Sequence, residues 1–552
     1  MTGTELHQRT VRDILQDGWQ IAGNPDTLLT GVQYDSRRVV SGNLFIAVRG
    51  GQSDGHSFIN QAIAGGAAAI VHDMAWEGSA AARSAHPGVV WIGVPDSRAA
   101  LAHCSVSYYG NPSKSIGVVG ITGTNGKTTT SYIMKSILEA WRRRVGLIGT
   151  ISYMIGGKTF DAPHTTPEAP DFQRLLRMMA EEECSHVVSE ISSHALAQQR
   201  VAGTAVQAAI FTNLTRDHLD FHETMESYYA AKSCLFFELL ADQGLAVINA
   251  DDPYGRQLAE QMRADTQIRT RGIRILTFGM QSADADIAAE QIVPGFQSTK
   301  FRVRVKDGAF DVESPLVGTI NVMNILAAVS VAVGLDIPVA AIQTGVRSTP
   351  QVRGRFEQVA VGQPYLALLD YAHTEDALER LLQNARTLLE LSAGARPQRR
   401  TRRRGEQLFL AEEAGHGRVI SVFGCGGNRD RGKRPKMGEI ATRLSYFTIL
   451  TSDNPRFEDP KVIIHDIESG IRGDNYIVIH DRRAAIAMAV ELASAGDIIV
   501  IAGKGHETYQ EIKGVRSHFS DREVLEEAIT LSLERHHRRN EKPGQPCKAG
   551  LC

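Results

Sequence analysis

A multidomain α/β protein built on mainly parallel sheets is the fold that three features of this sequence predict. The chain has 552 residues, too many for one hydrophobic core, so two to four domains are expected. Apolar strand-like runs alternate with helical patterns along most of it, as in parallel sheets covered on both faces. Polar and charged residues gather directly after those strands, where open parallel sheets bind their ligands. Composition agrees: 43% hydrophobic and 22% charged residues are ordinary for a globular chain. A net charge of -2 gives no reason to expect nucleic acid as a partner. Six cysteines (Cys104, Cys184, Cys234, Cys425, Cys547 and Cys552) lack paired metal-type spacing, so reduced thiols in a cytoplasmic protein are expected. No basic-then-apolar leader and no membrane-spanning run is seen, and stable membrane insertion is not expected.

Three blocks are predicted. Residues 1 to 112 hold short strands and glycine-rich turns, such as Leu44–Val48 and an alanine-rich helix leading into Ala69-Ile-Val71, the pattern of a small α/β domain. Asn111-Pro112-Ser113 is a candidate hinge into the second block, residues 113 to 350, where strands and helices alternate. Thr349-Pro350 with Gly354 marks a second linker, and residues 351 to 534 alternate again. Two segments fall outside the pattern. Residues about 392 to 417 carry Arg396, Arg399, Arg400, Arg402, Arg403 and Arg404, and read as a solvated surface insertion. The tail, 535 to 552, with Arg538, Arg539 and Lys542, reads as disordered.

In the second block the run Gly120-Ile-Thr-Gly-Thr-Asn-Gly-Lys-Thr-Thr-Thr130 joins an apolar strand to a helix whose apolar positions include Ile133, Met134, Ile137, Leu138 and Trp141. A glycine-rich turn there aims backbone N–H groups and a helix N-terminus at one point, which makes a phosphate cradle. Lys127 would reach the outer phosphates of a nucleoside triphosphate and the Thr128 hydroxyl would sit on Mg²⁺. The spacing departs from the usual G-x-x-x-x-G-K-[ST], because Ile121 stands where the first glycine belongs.

Other strands end on equally polar residues. In the second block these are Glu190, then Asn213 with Asp217-His218, then Asn249-Ala-Asp251-Asp252. In the third block they are Asp370-Tyr-Ala-His373, Gly424–Arg434, Asp453-Asn-Pro-Arg456 and Gly503-Lys-Gly-His-Glu507. Two α/β domains facing a shared cleft are therefore expected, with the nucleotide on one side. Arg429, Asp453, Asn454, Arg456 and Glu507 form a set of mixed sign that suits a zwitterion. An arginine fork takes a carboxylate, and acidic side chains accept from an ammonium.

With these motifs the chain resembles the Mur ligases, ATP-dependent amino-acid-adding enzymes of peptidoglycan synthesis, over about residues 30 to 530. The likeness is to the MurE type, the UDP-MurNAc-tripeptide synthetases. It rests on Asp35-Ser-Arg37, Gly123–Thr129, His164-Thr-Thr-Pro167, Glu190-Ile-Ser-Ser-His194 and Asn213–Asp220, and on Gly354-Arg-Phe-Glu357, Asp370–Thr374, Asp453–Arg456 and Gly503–Glu507. It implies three domains: an N-terminal UDP-substrate domain, a central P-loop ATP-binding domain and a C-terminal Rossmann-like amino-acid domain. It implies that Gly123, Thr124, Asn125, Gly126, Lys127, Thr128 and Thr129 hold ATP, with Asn321, Asn324, Arg355, Asp370 and His373 on the adenine and phosphate side. Ser36, His164, Thr165, Thr166, Ser192, Gln198 and Arg200 would hold UDP-MurNAc-L-Ala-D-Glu. Arg429, Asp453, Asn454, Pro455, Arg456, Gly503 and Glu507 would hold the incoming amino acid. Glu190, His218 and Lys232 resemble ligands of a second Mg²⁺, Lys232 as an N6-carboxylysine carbamate; from its own surroundings in sequence, Lys232 reads as a surface lysine. Two departures stand out: His164 where asparagine is common, and Glu375 in place of a proline.

The resemblance implies that ATP phosphorylates the γ-carboxylate of D-glutamate and that an amine attacks the acyl phosphate, Lys127 and Mg²⁺ offsetting the charge of two anions brought together. MurE-type enzymes add meso-diaminopimelate or L-lysine, which differ by one distal carboxylate. Arg456, helped by Arg429, can clamp that carboxylate, with Glu507 near the distal ammonium. Lysine would leave a buried arginine unpaired, a penalty of ~2–5 kcal/mol. Diaminopimelate is therefore expected, with a monomeric enzyme. The alternatives are L-lysine, a folylpolyglutamate or cyanophycin type of ligase, or an inactive nucleotide-binding regulator.

Overall fold

The computed structural model describes residues 9–50, 53–392 and 417–540. The arginine-rich stretch from Arg396 to Arg404 lies outside them. The chain groups into two compact units. One runs through Ala288 and includes Arg304–Gly308 and Asn324–Gly345; the other holds Ala289–Val303, Ala309–Met323 and everything from Val346 onward. The expected linker at Thr349-Pro350 falls beside that last boundary, while Ala289–Val303 and Ala309–Met323, expected with the central block, group with the C-terminal one.

The first unit contains two larger sheets and a two-stranded one that pairs Arg9–Thr10 with Leu28–Leu29. Of the two larger ones, the smaller has the strand order Gln20–Ala22, Val90–Val94, Ala69–Asp73, Asn43–Ile46, Gly31–Gln33, parallel except at its first edge. In the larger, six strands run parallel in the order Val145–Ile148, His186–Glu190, Gly117–Thr122, Val206–Phe211, Leu240–Asn249, Arg274–Gly279. The chain leaves Gly117–Thr122 for one side of the sheet and later returns to the other. The turn after Thr122 therefore sits where strand order reverses, the crevice in which such sheets bind ligands. Arg38 to Asp171 (3.2 Å) and Arg98 to Glu168 (2.8 Å) tie the small sheet's domain to the helix Ala169–Glu181.

In the second unit the order is Glu357–Gln358, Leu366–Asp370, Ile498–Ala502, Val419–Phe423, Phe447–Leu450, Tyr476–Val478, parallel beyond its first pair. Alternation divides each strand between two cores. Leu366 and Leu368 pack with Leu378, Leu382 and Phe423, whereas Ala367 and Leu369 pack with Ile420, Ile499 and Leu525. Late insertion of Ile498–Ala502 beside Leu366–Asp370 brings the turn after Ala502 between the ends of two earlier strands.

Residues 535–540 are not a disordered tail, and residues 541–552 lie outside the described residues. The last helix, Asp521–Asn540, continues through residues 535–540 that the sequence assigns to a disordered tail. Val524, Leu525 and Ile529 anchor one face in the core, and Asp521 and Glu523 occupy the first turn, where the helix dipole favours acids. Arg535 continues the anchorage by pairing with Glu491 at 2.7 Å. The departure at Glu375 has a similar account. It opens the helix Glu375–Ser392, where a carboxylate is favoured, and pairs with Lys436 at 3.1 Å.

Arg482 and Asp521 form a fork pair inside this unit, Nε to Oδ1 and Nη2 to Oδ2 both 2.7 Å, each residue no more than 2% exposed. Removing one partner strands a buried charge. Arg482→Met is expected to destabilise the C-terminal unit by about 3–5 kcal/mol in denaturant unfolding, and adding Asp521→Leu should restore most of the loss.

Candidate active site

The turn between Thr122 and the helix Lys127–Ala140 is built for close backbone approach. Gly123 (φ 140°) and Gly126 (φ 87°) lie in the region that favours glycine; a Cβ on the first would come 1.9 Å from Thr212 Oγ1 and on the second 2.4 Å from Asn324 Oδ1. Thr212 and Asn213 clamp the turn from the next strand end. Thr212 Oγ1 donates to Asn125 O (2.7 Å), and Asn213 Oδ1 accepts from Asn125 N (3.0 Å). Ile121 is the fully buried penultimate residue of the strand, which explains why no glycine is needed there.

Two lysines converge on this turn. Lys127 Nζ donates to the carbonyls of Gly123 (2.8 Å) and Thr124 (2.9 Å), and Lys232 Nζ donates to the same Gly123 carbonyl at 2.8 Å. Lys232, a surface residue by its sequence surroundings, is 1% exposed, with Nζ 4.6 Å from the centre of the Tyr228 ring. Burial first, and the neighbouring Lys127 charge second, hold its pKa well below the usual lysine value.

Glu190 ends its strand fully buried. Its Oε2 accepts from Thr128 Oγ1 (2.9 Å) and Thr150 Oγ1 (3.0 Å), and Oε1 from Thr150 N (2.9 Å). From there a polar chain extends. Thr165 Oγ1 meets Thr150 Oγ1 at 3.1 Å, Thr166 Oγ1 donates to Glu190 O (2.9 Å) and accepts from Ser192 N (3.0 Å), and Arg200 donates to Thr166 O (2.9 Å) and Gln198 Oε1 (2.6 Å). Thr165, Thr166, Ser192, Gln198 and Arg200 are thus brought together. His164 joins through its backbone, its carbonyl accepting from Tyr153 at 2.5 Å. Ser36 is held elsewhere, in the small sheet's domain, donating to Gln61 at 2.8 Å.

His218 sits in the left-handed region (φ 54°), 3.5 Å from Asp217 and edge-on to His194 at 4.8 Å between ring centres. Burial lowers its pKa and favours the neutral ring that a ligand must have. Among the described residues no three His, Cys, Asp or Glu side chains form a metal cage. The expected Mg²⁺ set contains only two such residues, Glu190 and His218. Its best-fitting part is Glu190 Oε2 and Thr128 Oγ1, two hard oxygen donors 2.9 Å apart, in keeping with an ion that keeps several waters.

Within the second unit, Asp370 holds the turn carrying Arg355, accepting from Phe356 N (2.7 Å) and Ala372 N (2.8 Å), while Glu357 accepts from Gly354 N at 2.7 Å. Arg355 lies over the Tyr371 ring at 5.1 Å, and His373 contacts Tyr371 O through Nδ1 at 2.9 Å. Asn321 and Asn324 lie near the start of the helix Thr319–Gly334; Asn321 donates to Val317 O at 2.8 Å, and Asn324 accepts from Thr130 at 3.5 Å.

The amino-acid set gathers around two interlocked turns. Gly427 N donates to Asn454 O (2.9 Å) and Arg456 Nη1 to Gly427 O (2.7 Å). A Cβ on Gly427 would strike Pro455 O at 1.9 Å, and one on Gly426 would come 3.0 Å from Arg456 Nη1 and 3.9 Å from Arg429 Cγ. Arg456 (φ 52°) is half-buried and Arg429 exposed, so the arginine clamp is more open than the buried arginine expected. Asn454 Nδ2 donates to Glu507 Oε2 at 2.8 Å; a Cβ on Gly503 would come 2.7 Å from Asp453 Oδ2. Burial pushes the Glu507 carboxyl up while Lys504 pulls it back.

Sequence reasoning missed four participants. Thr150 grips Glu190 and could have been found by extending the strand-end rule to Val145–Ile148. Glu168 bridges Arg98 (2.8 Å) and Arg200 (3.0 Å), which no local pattern signals. Lys504 and Arg482 are fully buried cations next to the amino-acid set.

Known proteins resemble this chain over nearly its whole length. Residues 28–109 match the model of the Mur ligase family catalytic domain, 121–332 the Mur ligase middle domain, and 408–505 the Mur ligase glutamate ligase domain. A UDP-N-acetylmuramoyl-L-alanyl-D-glutamate--2,6-diaminopimelate ligase from Caldanaerobacter subterraneus subsp. tengcongensis is 40% identical over 515 residues, covering 93% of this chain and 97% of its own. The chain belongs to the Mur ligase family. A second Mur ligase of the same name, from Bacillus licheniformis, is 41% identical over 513 residues, 92% of this chain and 96% of its own. A solved Mur ligase structure, titled as that same ligase, superposes with a TM-score of 0.65 at 32% identity, covering 95% of this chain and 99% of that one. Among the described residues no helix is long and apolar enough to cross a membrane, and Cys104, Cys184, Cys234 and Cys425 are free thiols.

The Mur ligase P-loop here tolerates no side chain at Gly123. Gly123→Ala is expected to lower ADP affinity more than about tenfold, roughly 1.4 kcal/mol, in a fluorescent-nucleotide titration.

Proposed function

We propose that this Mur ligase joins meso-2,6-diaminopimelate to the γ-carboxylate of D-glutamate in UDP-MurNAc-L-Ala-D-Glu, using ATP and yielding UDP-MurNAc-tripeptide, ADP and phosphate for peptidoglycan synthesis. It would act in the cytoplasm as a monomer. The observation that carries the reading is the mixed-charge set Arg456, Asn454, Asp453 and Glu507 on interlocked turns. Relatives about 40% identical over nearly their whole length bear the name of that reaction.

Amide formation from a carboxylate in water is uphill, so the carboxylate must first gain a leaving group. A γ-carboxylate oxygen attacks the terminal phosphorus of ATP, and the bond to ADP breaks. The amine nitrogen then attacks the acyl carbon, phosphate departs, and the nitrogen loses a proton. Lys127, which rests on the loop's own carbonyls, is placed to turn to the phosphates and offset their charge. Thr165, Thr166, Ser192, Gln198 and Arg200 would orient the dipeptide, and Ser36 would meet the uridine end. Asn321, Asn324, Arg355, Asp370 and His373 would face the adenine and phosphates. Arg456 and Arg429 would take the distal carboxylate of the amino acid, and Glu507 with Asp453 its ammonium.

Thr128, Glu190, His218 and carbamylated Lys232 would hold Mg²⁺, which when bound would supply positive charge to offset the reacting anions. Formation of the carbamate joins the Lys232 nitrogen to the carbon of CO₂ with loss of a proton. A buried lysine with a depressed pKa offers the neutral amine this requires.

Two measurements test the reading. In an assay of phosphate release over a panel of amino acids, release should require UDP-MurNAc-L-Ala-D-Glu and favour diaminopimelate over L-lysine. Arg456→Ala should cut that preference by about tenfold or more; an unchanged preference refutes the clamp. Lys232→Ala should lower turnover about 10²–10³-fold, with partial recovery on adding a short carboxylate, and full activity would remove the carbamate role.

A further inference from the structure

Lys504 has no part in the chemistry above, yet it is fully buried inside the amino-acid site. It lies between Gly503 (φ 117°) and Gly505 (φ 52°), where a Cβ would come 2.7 Å from Asp453 Oδ2 and 2.7 Å from Tyr371 Cβ respectively. These flanking glycines fix the backbone that turns the side chain inward. Its Nζ donates to Asn454 Oδ1 at 3.0 Å and stands 3.6 Å from Glu507 Oε2.

The consequence falls on Asn454, a residue 2% exposed whose amide has two chemically opposite ends. Asn454 Oδ1 accepts from Lys504 Nζ and also from Glu511 N at 3.0 Å. Both partners can only donate, so no flip of the amide satisfies them. The Nδ2 end is thereby aimed at Glu507 Oε2 (2.8 Å), and one N–H is left over. With its acceptor end filled, Asn454 has only a donor to offer a ligand.

We propose that Lys504 is a positioning residue for amino-acid selection: it locks the Asn454 amide so that the spare N–H faces the ligand, favouring a carboxylate and rejecting an ammonium at that point. A ligand with a distal carboxylate gains a hydrogen bond there, and one ending in a distal ammonium alone meets a donor and a buried cation. This rests on the diaminopimelate reading above and adds the group that enforces it.

The test compares the full-length enzyme with Lys504→Met, measuring KM and kcat for diaminopimelate, L-lysine, ATP and the UDP-linked dipeptide. Lys504→Met should raise the KM for diaminopimelate about tenfold or more and narrow its advantage over lysine, with the KM values for ATP and the dipeptide within about twofold of wild type. Equal weakening toward all substrates, or an unchanged KM for diaminopimelate, overturns the proposal. Should Lys504→Met fail to fold, Asn454→Asp serves instead. It keeps an acceptor for Lys504 while removing the donor, and should lose diaminopimelate in the same selective way; an unchanged KM for diaminopimelate in that variant overturns the proposal equally. The wild-type panel alone decides which amino acid the enzyme prefers, so failure of that reading is distinguishable from failure of the Lys504 role.

Discussion

Two lysine ammonium groups share one backbone acceptor, the carbonyl of Gly123, and the arrangement of the nucleotide-binding unit depends on how that conflict is resolved. The two nitrogens lie no more than two hydrogen-bond lengths apart, with Lys232 shut off from water. Like charges at that range in a poorly solvated site cannot both be held cheaply. Lys127 is only partly buried, which leaves its side chain room to turn to a phosphate in the proposed function. Lys232 is enclosed in the core, and its burial together with the Lys127 charge favours loss of its proton. The same crowding is what the proposed roles draw on, an anion for one lysine and a carbamate for the other.

Glu190 supplies the complementary constraint. A fully buried carboxylate persists only when its oxygens are satisfied, and here two threonine hydroxyls and one backbone N–H do so. All of these donors are neutral. The negative charge is thus solvated but not cancelled, a state that suits a residue awaiting a cation. The C-terminal unit answers its own buried charges differently. Arg482 is cancelled by Asp521, and Lys504 spends its proton on fixing an amide. In one unit charge is left over for reaction partners, and in the other it is used to shape a recognition surface.

Much of this was legible in the sequence because the signals were local. The P-loop and the strand ends at Glu190, Asp370, Asp453 and Gly503 follow from short-range patterns of apolar runs and turns, and the structure places each at the end of its strand or directly after it. Other features depend on contacts that no local pattern carries. Lys232 is buried by a partner 109 positions away, in a helix whose neighbours Ala230 and Ala231 mark no apolar face. Glu168 joins Arg98 and Arg200, one from each of two domains. The helix Asp521–Asn540 runs on past its buried residues, and its exposed end carries an ion pair from Arg535 to Glu491 that no local pattern signals. Arg456 was expected to be enclosed, but its left-handed backbone in a turn leaves it half open.

The contact of Gly354 with the Gly505–His506 turn bears on how this site can be altered. A Cβ on Gly354 would lie 2.3 Å from His506 N, and one on Gly505 would press on Tyr371. Three turns remote in sequence are therefore stacked backbone on backbone, with no side chain between them to yield. Arg355 and Glu507, given nucleotide and amino-acid roles in the proposed function, hang from the same rigid junction. Loop grafting from a ligase of different specificity would disturb both at once. On the proposed assignment, divergence toward another amino acid is channelled into side-chain exchange at positions such as 454 and 456, because the main chain of the turn has no room to change.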